Sequence, residues 1–368
     1  MAGPSRDPSP LRGPLLAGLG AAVLLVGGAG ALAWLAGGEP GPAGATADIS
    51  RPEPVVLADA GPADPFAESQ AEDVSLPGVT DTETALEAAP PAPRPRGPVA
   101  PLAGLYEPGP GGPLPVIAAD GRRADAAYAK PFDGVADAPT IAVVVGGLGL
   151  SESLTRRAID TLPSEVTLSF AAYSDDLQDW IDAARADGHE VLIELPMEPF
   201  DYPNNDPGPH TLLAEAGAAE NRRRLLTLLS RGAGYAGVAN YLGARLGAAQ
   251  EPLTAVFADL EARGLSIFHD GSGRRPVLEG AAAAAGAKLA LADRVVDGDP
   301  SPTAIDARLL ELEALALQNG ASLGSGFAYP ATVDTVAAWA EDLAARGYQL
   351  APASYLMTLR QADAGPET

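Results

Sequence analysis

The stretch IAVVVGGLGL, Ile141 to Leu150, decides how the rest of the chain is read. Five apolar residues run without a polar interruption from Ile141 to Val145. Such a β-branched run suits a strand buried on both faces, as in a parallel sheet, better than a half-exposed strand that alternates. Gly146 and Gly147 close the run, and Ser151 is placed to cap a helix reaching about Leu162. The unit is therefore strand, turn, helix.

Working outward, the same unit recurs. Further strands are expected at 166–170, 190–195, 236–240, 265–268, 289–295, 321–323 and 348–351. Helical patterns lie between them at 175–187, 214–232, 252–263, 281–288, 302–319 and 332–346, and Gly188, Gly264, Gly320 and Gly347 stand just past four of these helices. Strands alternating about seven times with helices of this length pair in parallel, as a doubly wound sheet or a barrel. In both, chemistry gathers where strands end at their carboxyl side. The segments to inspect are 146–150, 171–175, 196–200, 240–245, 269–275, 297–299 and 324–330.

Before this region the composition changes. The chain has 368 residues with 36 Pro and 42 Gly, and most of the Pro precedes residue 140. One folded domain over 138–360 is expected, with a disordered Pro/Ala-rich linker over 37–137 and a disordered tail over 361–368. Within the linker, residues 114–132 carry enough pattern to pack on the domain as an arm. From Pro14 to Ala36 there is no charged residue. As a helix this segment spans about 35 Å, enough to cross a bilayer. Arg6 and Arg12 precede it, so residues 1–13 are expected in the cytoplasm and the rest exported. A cleaved signal ending near Ala31-Leu32-Ala33 is the alternative.

A net charge of −24 with 5% aromatic residues argues against nucleic acid as a partner. The absence of cysteine excludes disulfides, thiolate catalysis and cysteine-bound zinc. Gly147-Leu148-Gly149 lacks the third glycine of a dinucleotide fingerprint, because Glu152 holds that position. Of the three histidines, His189 starts a strand and reads as structural, and His210 lies in an exposed Pro/Asn loop. His269 and Asp270 follow a strand; being adjacent, they point opposite ways if extended, so only one faces the axis. Glu194 falls inside its strand and Glu198 at its mouth. Ser325, between two glycines at a strand end, is a weak candidate nucleophile.

Five segments together resemble the divergent polysaccharide deacetylase family, exported bacterial relatives of carbohydrate esterases. They are VVVGGLGL (143–150), GHEVLIELPMEP (188–199), GVANYLGARL (237–246), RGLSIFHDGS (263–272) and ALQNGASLGSGFAYP (316–330). The resemblance covers 139–356 and implies a distorted (β/α)7 barrel. It also implies a divalent metal held by two acidic residues after the first strand and by histidines later. Here Gly146 and Gly147 stand at the acidic positions, and Tyr241 and Ser325 at the histidine positions. The expectation is therefore a glycan-binding protein with a degenerate metal site, no cofactor and cell-envelope polysaccharide or peptidoglycan as partner. It would be held in the inner membrane by residues 14–36, with the domain in the periplasm. Candidate ligand contacts are Gly146, Gly147, Asn240, Tyr241, Arg245, Ser325 and Tyr329, with Tyr173, Tyr202 and Phe327 as further aromatic surfaces. The alternatives are a metal-dependent deacetylase rebuilt around Asp270, His269 and Glu198, and an envelope scaffold that binds a protein partner.

Overall fold

The structure, a computed structural model, describes residues 99–273 and 276–363. The first long strand, β3 (Thr140–Leu148), forms as the apolar run demands and is buried almost throughout. Ile141, Val143 and Val145 pack among the core residues shared with the helices. Ala142 and Val144 belong to a separate cluster inside the curve of the sheet. This inside/outside alternation recurs, and the inner set is small: Ala142, Ala239, Ala290 and Ala292 beside Val144, Leu192 and Phe268. Small inward side chains leave space at one end of the interior.

The repeats follow in order. They are α2 (Glu152–Thr161), β4 (Thr167–Ala171), α3 (Leu177–Ala186), β5 (Val191–Met197), α4 (Ala218–Leu229), β6 (Gly237–Leu242), α5 (Gln250–Glu261), β7 (Ser266–His269), α6 (Leu278–Ala285), β8 (Leu289–Leu291), β9 (Arg294–Val295), α7 (Pro302–Asn319), β10 (Ala321–Phe327), α8 (Pro330–Glu341), β11 (Gln349–Leu350) and α9 (Ala353–Asp363). The strand order is β8-β7-β6-β5-β4-β3-β10-β9, all parallel, with β11 beside the start of β3.

The two ends of that order meet in one chain segment. Only Ala292 and Asp293 separate β8 from β9. Ala292 N–H donates to the His269 carbonyl at 2.9 Å, and Asp293 N–H donates to the Leu323 carbonyl at 2.7 Å. The sheet thus curls into an α/β half-barrel whose open side is bridged by a single strand-like stretch. α9 closes the end where the strands begin: Ala353, Leu356 and Met357 join the interior cluster. Ala353 N–H donates to Thr167 Oγ1 at 3.0 Å, and Ser354 bonds the buried Glu190 carboxylate. The opposite, carboxyl-terminal end of the strands stays open.

Several expectations need correction. Residues 99–137 are not a disordered continuation of the linker. They form a hairpin, β1 (Tyr106–Pro108) with β2 (Pro113–Pro115), and a short helix, α1 (Ala124–Ala127), and bury Leu105, Leu114, Ala118 and Tyr128 in the main core. Arg123 pairs with Glu261 at 2.6 Å, and Lys130 Nζ donates to the Gly188 carbonyl at 2.9 Å. The arm suggested by 114–132 is real and longer than expected. The first strand does not stop at Gly146-Gly147 but continues to Leu148 through a register shift after Val145. The strand expected at 289–295 is broken in two, because it must pair with β7 on one side and β10 on the other. The helix expected from 214 starts at Ala218, and α9 was not expected at all. The membrane segment 14–36, the cytoplasmic stretch, residues 37–98 and the tail from 364 lie outside the described residues. Among the described residues no helix is long and apolar enough to cross a membrane.

Candidate functional site

The open end of the half-barrel holds a cavity of about 210 Å³. Its walls are Val144, Ala239, Leu242, Phe268, Val295 and Phe327. Its polar lining is Ser169, Glu194, Asn240, Asp270, Ser272 and Ser325, with Gly146 and Gly326 as backbone. All come from the ends of β3 to β7, β9 and β10 or the turns after them, as the rule for parallel sheets requires.

Glu194 lies deepest in chemical terms. It sits on β5 in phase with Leu192, so its side chain points inward. Its Oε1 accepts the Gly147 N–H at 2.7 Å. A Cβ on residue 146 would collide with that same oxygen, so the glycine at 146 makes room for a carboxyl that arrives from another strand. Gly147 takes φ +74°, a conformation that glycine adopts freely, and this aims its N–H at the carboxyl. Burial pushes the Glu194 pKa up to about 8; the Gly147 hydrogen bond opposes this and the Asp270 charge adds to it. The group is therefore mainly a neutral acid at pH 7.

Asp270 lines the same cavity. Its carboxylate accepts from Ser272 N–H at 2.9 Å and Ser272 Oγ at 2.8 Å. Its backbone is pinned from two sides: Asn240 Oδ1 accepts its N–H at 2.8 Å, and Ser325 Oγ donates to its carbonyl at 2.5 Å. Asn240 and Ser325 thus hold the loop after β7 against the cavity. Asn240 also donates to the Leu242 carbonyl at 2.9 Å, and Leu242 has the left-handed φ of +57°. Strain of this kind gathers at ligand sites.

The rim is aromatic. Tyr241 meets Phe327 edge-on at 6.2 Å, and Phe327 meets Tyr329 at 6.1 Å. Tyr329 is 47% exposed. Tyr173 stands near the same group, since burial followed by the Tyr241 and Glu194 charges raises its pKa. Tyr202 is partly exposed in the loop after β5.

Of the residues grouped as a rebuilt catalytic set, His269 and Asp270 lie side by side and Glu198 stands apart. Asp270 faces the axial cavity. His269 lines a separate cavity of about 90 Å³ with Pro199, Leu242, Gly243, Ala244, Gly247 and Ser272, yet its Nδ1 lies 3.4 Å from Asp270 Oδ1. The two side chains are thus not opposed as their adjacency in an extended strand suggests, because the chain turns at Asp270 and brings them together. Glu198 lines neither cavity. It is buried against Arg245 at 2.9 Å and accepts the Ala214 N–H at 2.7 Å. Arg245 continues to Glu215 at 2.6 Å, so it clamps two loops rather than lining the cavity. His189 is structural, its ring nitrogens 2.8 Å and 3.2 Å from the Val166 and Ile159 carbonyls. His210 is exposed.

Two residues with a stake in the cavity were missing from the expected set. Glu194 reads from the sequence as a remaining acidic candidate that lies inside its strand, outside the set of Asp270, His269 and Glu198, and no sequence signal singles out Ser169. Ser169 Oγ is buried and has no hydrogen-bond partner among the described residues. The divalent cation implied by the resemblance does not fit this donor set. Among the described residues no three of His, Asp and Glu converge on one point. The axial cavity offers two carboxyl groups, one of them carrying a proton at neutral pH, and no histidine among its described lining residues.

Comparison with known proteins follows the same line. An uncharacterized protein of Agrobacterium tumefaciens C58 shares 40% identity and a TM-score of 0.65, covering 67% of this chain and 99% of that one. More remote are a peptidoglycan deacetylase of Bacillus subtilis and a pseudoenzyme of the CE4 family from Bacillus anthracis. The first has 14% identity and a TM-score of 0.37, covering 63% and 97% of the two chains. The second has 10% identity and a TM-score of 0.36, covering 61% and 67%. A search of curated proteins finds no match. The divergent polysaccharide deacetylase pattern matches residues 143–357, which is the half-barrel and its closing helix, and the chain belongs to that family.

Proposed function

We propose that the domain is a glycan-binding member of its family with a degenerate metal site, and that its half-barrel is the family's distorted (β/α)7 barrel. The observation that carries this reading is the aromatic run Tyr241, Phe327 and Tyr329 over the cavity. Aromatic faces suit the C–H faces of sugar rings, and a concave site with a few convergent polar groups is the usual shape of a ligand site. The polymer class, cell-envelope polysaccharide or peptidoglycan, follows from the family. Residues 14–36 would serve as a single-pass inner-membrane anchor, placing the domain in the periplasm, as their uncharged length supports.

The test uses the full chain. It should sediment with purified peptidoglycan or a soluble envelope polysaccharide, and Tyr329→Ala combined with Phe327→Ala should weaken this at least tenfold without loss of folding. Metal content and acetate release are measured on the same samples. A stoichiometric divalent metal with acetate release that Asp270→Ala abolishes would overturn the binding reading in favour of a hydrolase. Membrane anchorage is checked by extraction at alkaline pH before and after removal of residues 1–36.

A further inference from the structure

The cavity below the aromatic rim has an unusual balance of groups. Its walls are mostly apolar. Among its described lining residues there is no Lys, Arg or His. The Glu194 carboxyl accepts one hydrogen bond, from Gly147, and no other partner for it exists among the described residues. Ser169 Oγ, on the neighbouring strand β4, is buried without a partner among the described residues. An unsatisfied buried hydroxyl is costly and demands an explanation. A hydroxyl and a carboxyl in one small cavity, both short of partners, are explained together by a ligand group that uses both.

We propose that the axial cavity binds an uncharged polar group, an amide or alcohol on a compact apolar stem, which accepts a hydrogen bond from the Glu194 carboxyl and pairs with the Ser169 hydroxyl. This deepens the glycan-binding reading, which supplies the polymer carrying such a substituent. The charge logic selects a neutral group. An anion would meet Asp270 in an apolar cavity whose described lining residues include no cation. A cation would find Asp270 but would lose the donor function of Glu194. The neutral acid serves as donor and acceptor at once, which an ionised carboxylate cannot do.

The titratable groups facing Glu194 are Asp270 from the loop after β7, Tyr241 from β6 and Tyr173 from the turn after β4. Of these, the Asp270 charge opposes its ionisation, after burial as the larger cause, and the two tyrosines are neutral where it titrates. With a midpoint near 8, the donor form is full at pH 7 and mostly gone at pH 9. Affinity for a neutral ligand should therefore fall about tenfold between those values.

The experiment is a pair of isosteric probes, propanamide and propanoate, titrated into the full chain carrying ¹³C-labelled glutamate carboxyls. Propanamide should shift the Glu194 resonance, with an effect that fades between pH 7 and pH 9. Propanoate at the same concentration should leave it unmoved at pH 7. Glu194→Gln should keep propanamide binding and lose its pH dependence, because the amide still donates, and Ser169→Ala should weaken binding several-fold. A Glu194 midpoint below about 6, equal response to both probes, or response to neither overturns the proposal. The direct titration and Ser169→Ala keep it testable if Glu194→Gln fails to fold. The rim is tested apart, since Tyr329→Ala should spare propanamide. Propanamide binding without any glycan binding would sink the glycan reading and leave the cavity assignment standing.

Discussion

At the scale of single residues, the site turns on a pair, Gly146 and Glu194. The carboxyl on β5 occupies space that any side chain at 146 would need. Gly146→Ala should therefore displace Glu194 and break its bond from Gly147, with a loss of roughly 1–3 kcal/mol of stability in chemical denaturation. The acid itself makes stability depend on pH in a defined direction. Unfolded, Glu194 ionises near 4.5; folded, near 8. Below 4.5 both states hold the proton and the neutral burial is favourable. As pH rises towards 8 only the folded state still binds it, so stability falls throughout this window and levels off above. Glu194→Gln should remove that slope and raise stability by roughly a few kcal/mol at pH 8 relative to its effect at pH 4. Equal pH profiles for the two proteins would refute the neutral carboxyl. This residue was partly legible in the sequence. A lone acid inside the apolar run Val191 to Leu195, in phase with Leu192, points inward and is a signal in itself. Glu198, lying at the strand's mouth, took its place as the candidate, although its position suits the ion pair with Arg245 that the fold builds there.

At the scale of elements, the strands and helices after residue 139 were readable because each carries its own period. The arm before them was readable only in part, over 114–132. Leu105 is isolated among Pro, Gly and charged residues, and the pattern over 114–132, which holds Leu114, Ala118 and Tyr128, does not state what it packs against. Their burial is supplied by partners more than 50 residues away. Tyr128 lies under the Arg185 guanidinium at 5.0 Å, and Arg185 donates to the Gly234 carbonyl at 2.8 Å. The arm also ties to Glu190, whose carboxylate accepts the Lys130 N–H at 3.1 Å and the Thr167 hydroxyl at 3.1 Å. These contacts lie where the strands begin, far from the cavity. The arm should hence govern stability and leave binding alone. Leu105→Ala is expected to cost about 2–4 kcal/mol in denaturant unfolding while the propanamide response at saturation is unchanged. A chain beginning at residue 138 should be less stable still, because Ser164, Gly188 and Glu190 would lose Lys130 together.

At the scale of the whole molecule, the half-barrel is held in its curl by one seam. β8 and β9 are too short to do this by their own ladders, and the bridging is shared with side chains. Asp293 Oδ2 accepts the Leu323 N–H at 2.7 Å and pairs with Arg360 of α9, while Arg360 also donates to the Leu291 carbonyl at 2.8 Å. The helix that plugs one end of the interior thus fastens the seam as well. A continuous strand over 289–295 was the natural reading, since nothing in that sequence states that its two halves serve different neighbours; only closure of the sheet requires it. The cavity depends on this closure, because Val295 and Ser325 stand on the β9 and β10 side while Phe268 and Asp270 stand on the β7 side. Asp293→Ala leaves the buried Leu323 N–H without its acceptor and Arg360 without its carboxylate, at a cost of roughly 1–3 kcal/mol. The loss should be local. In hydrogen exchange, the amides of Ala292, Val296 and Leu323 should open faster by about tenfold or more, while those of β4 and β5 keep their protection. Propanamide affinity should fall in step, because the wall carrying Ser325 is no longer fixed against Asp270. Uniform loss of protection across all strands would instead mean that the seam is an ordinary part of one cooperative core, and that the site is not held together from this side.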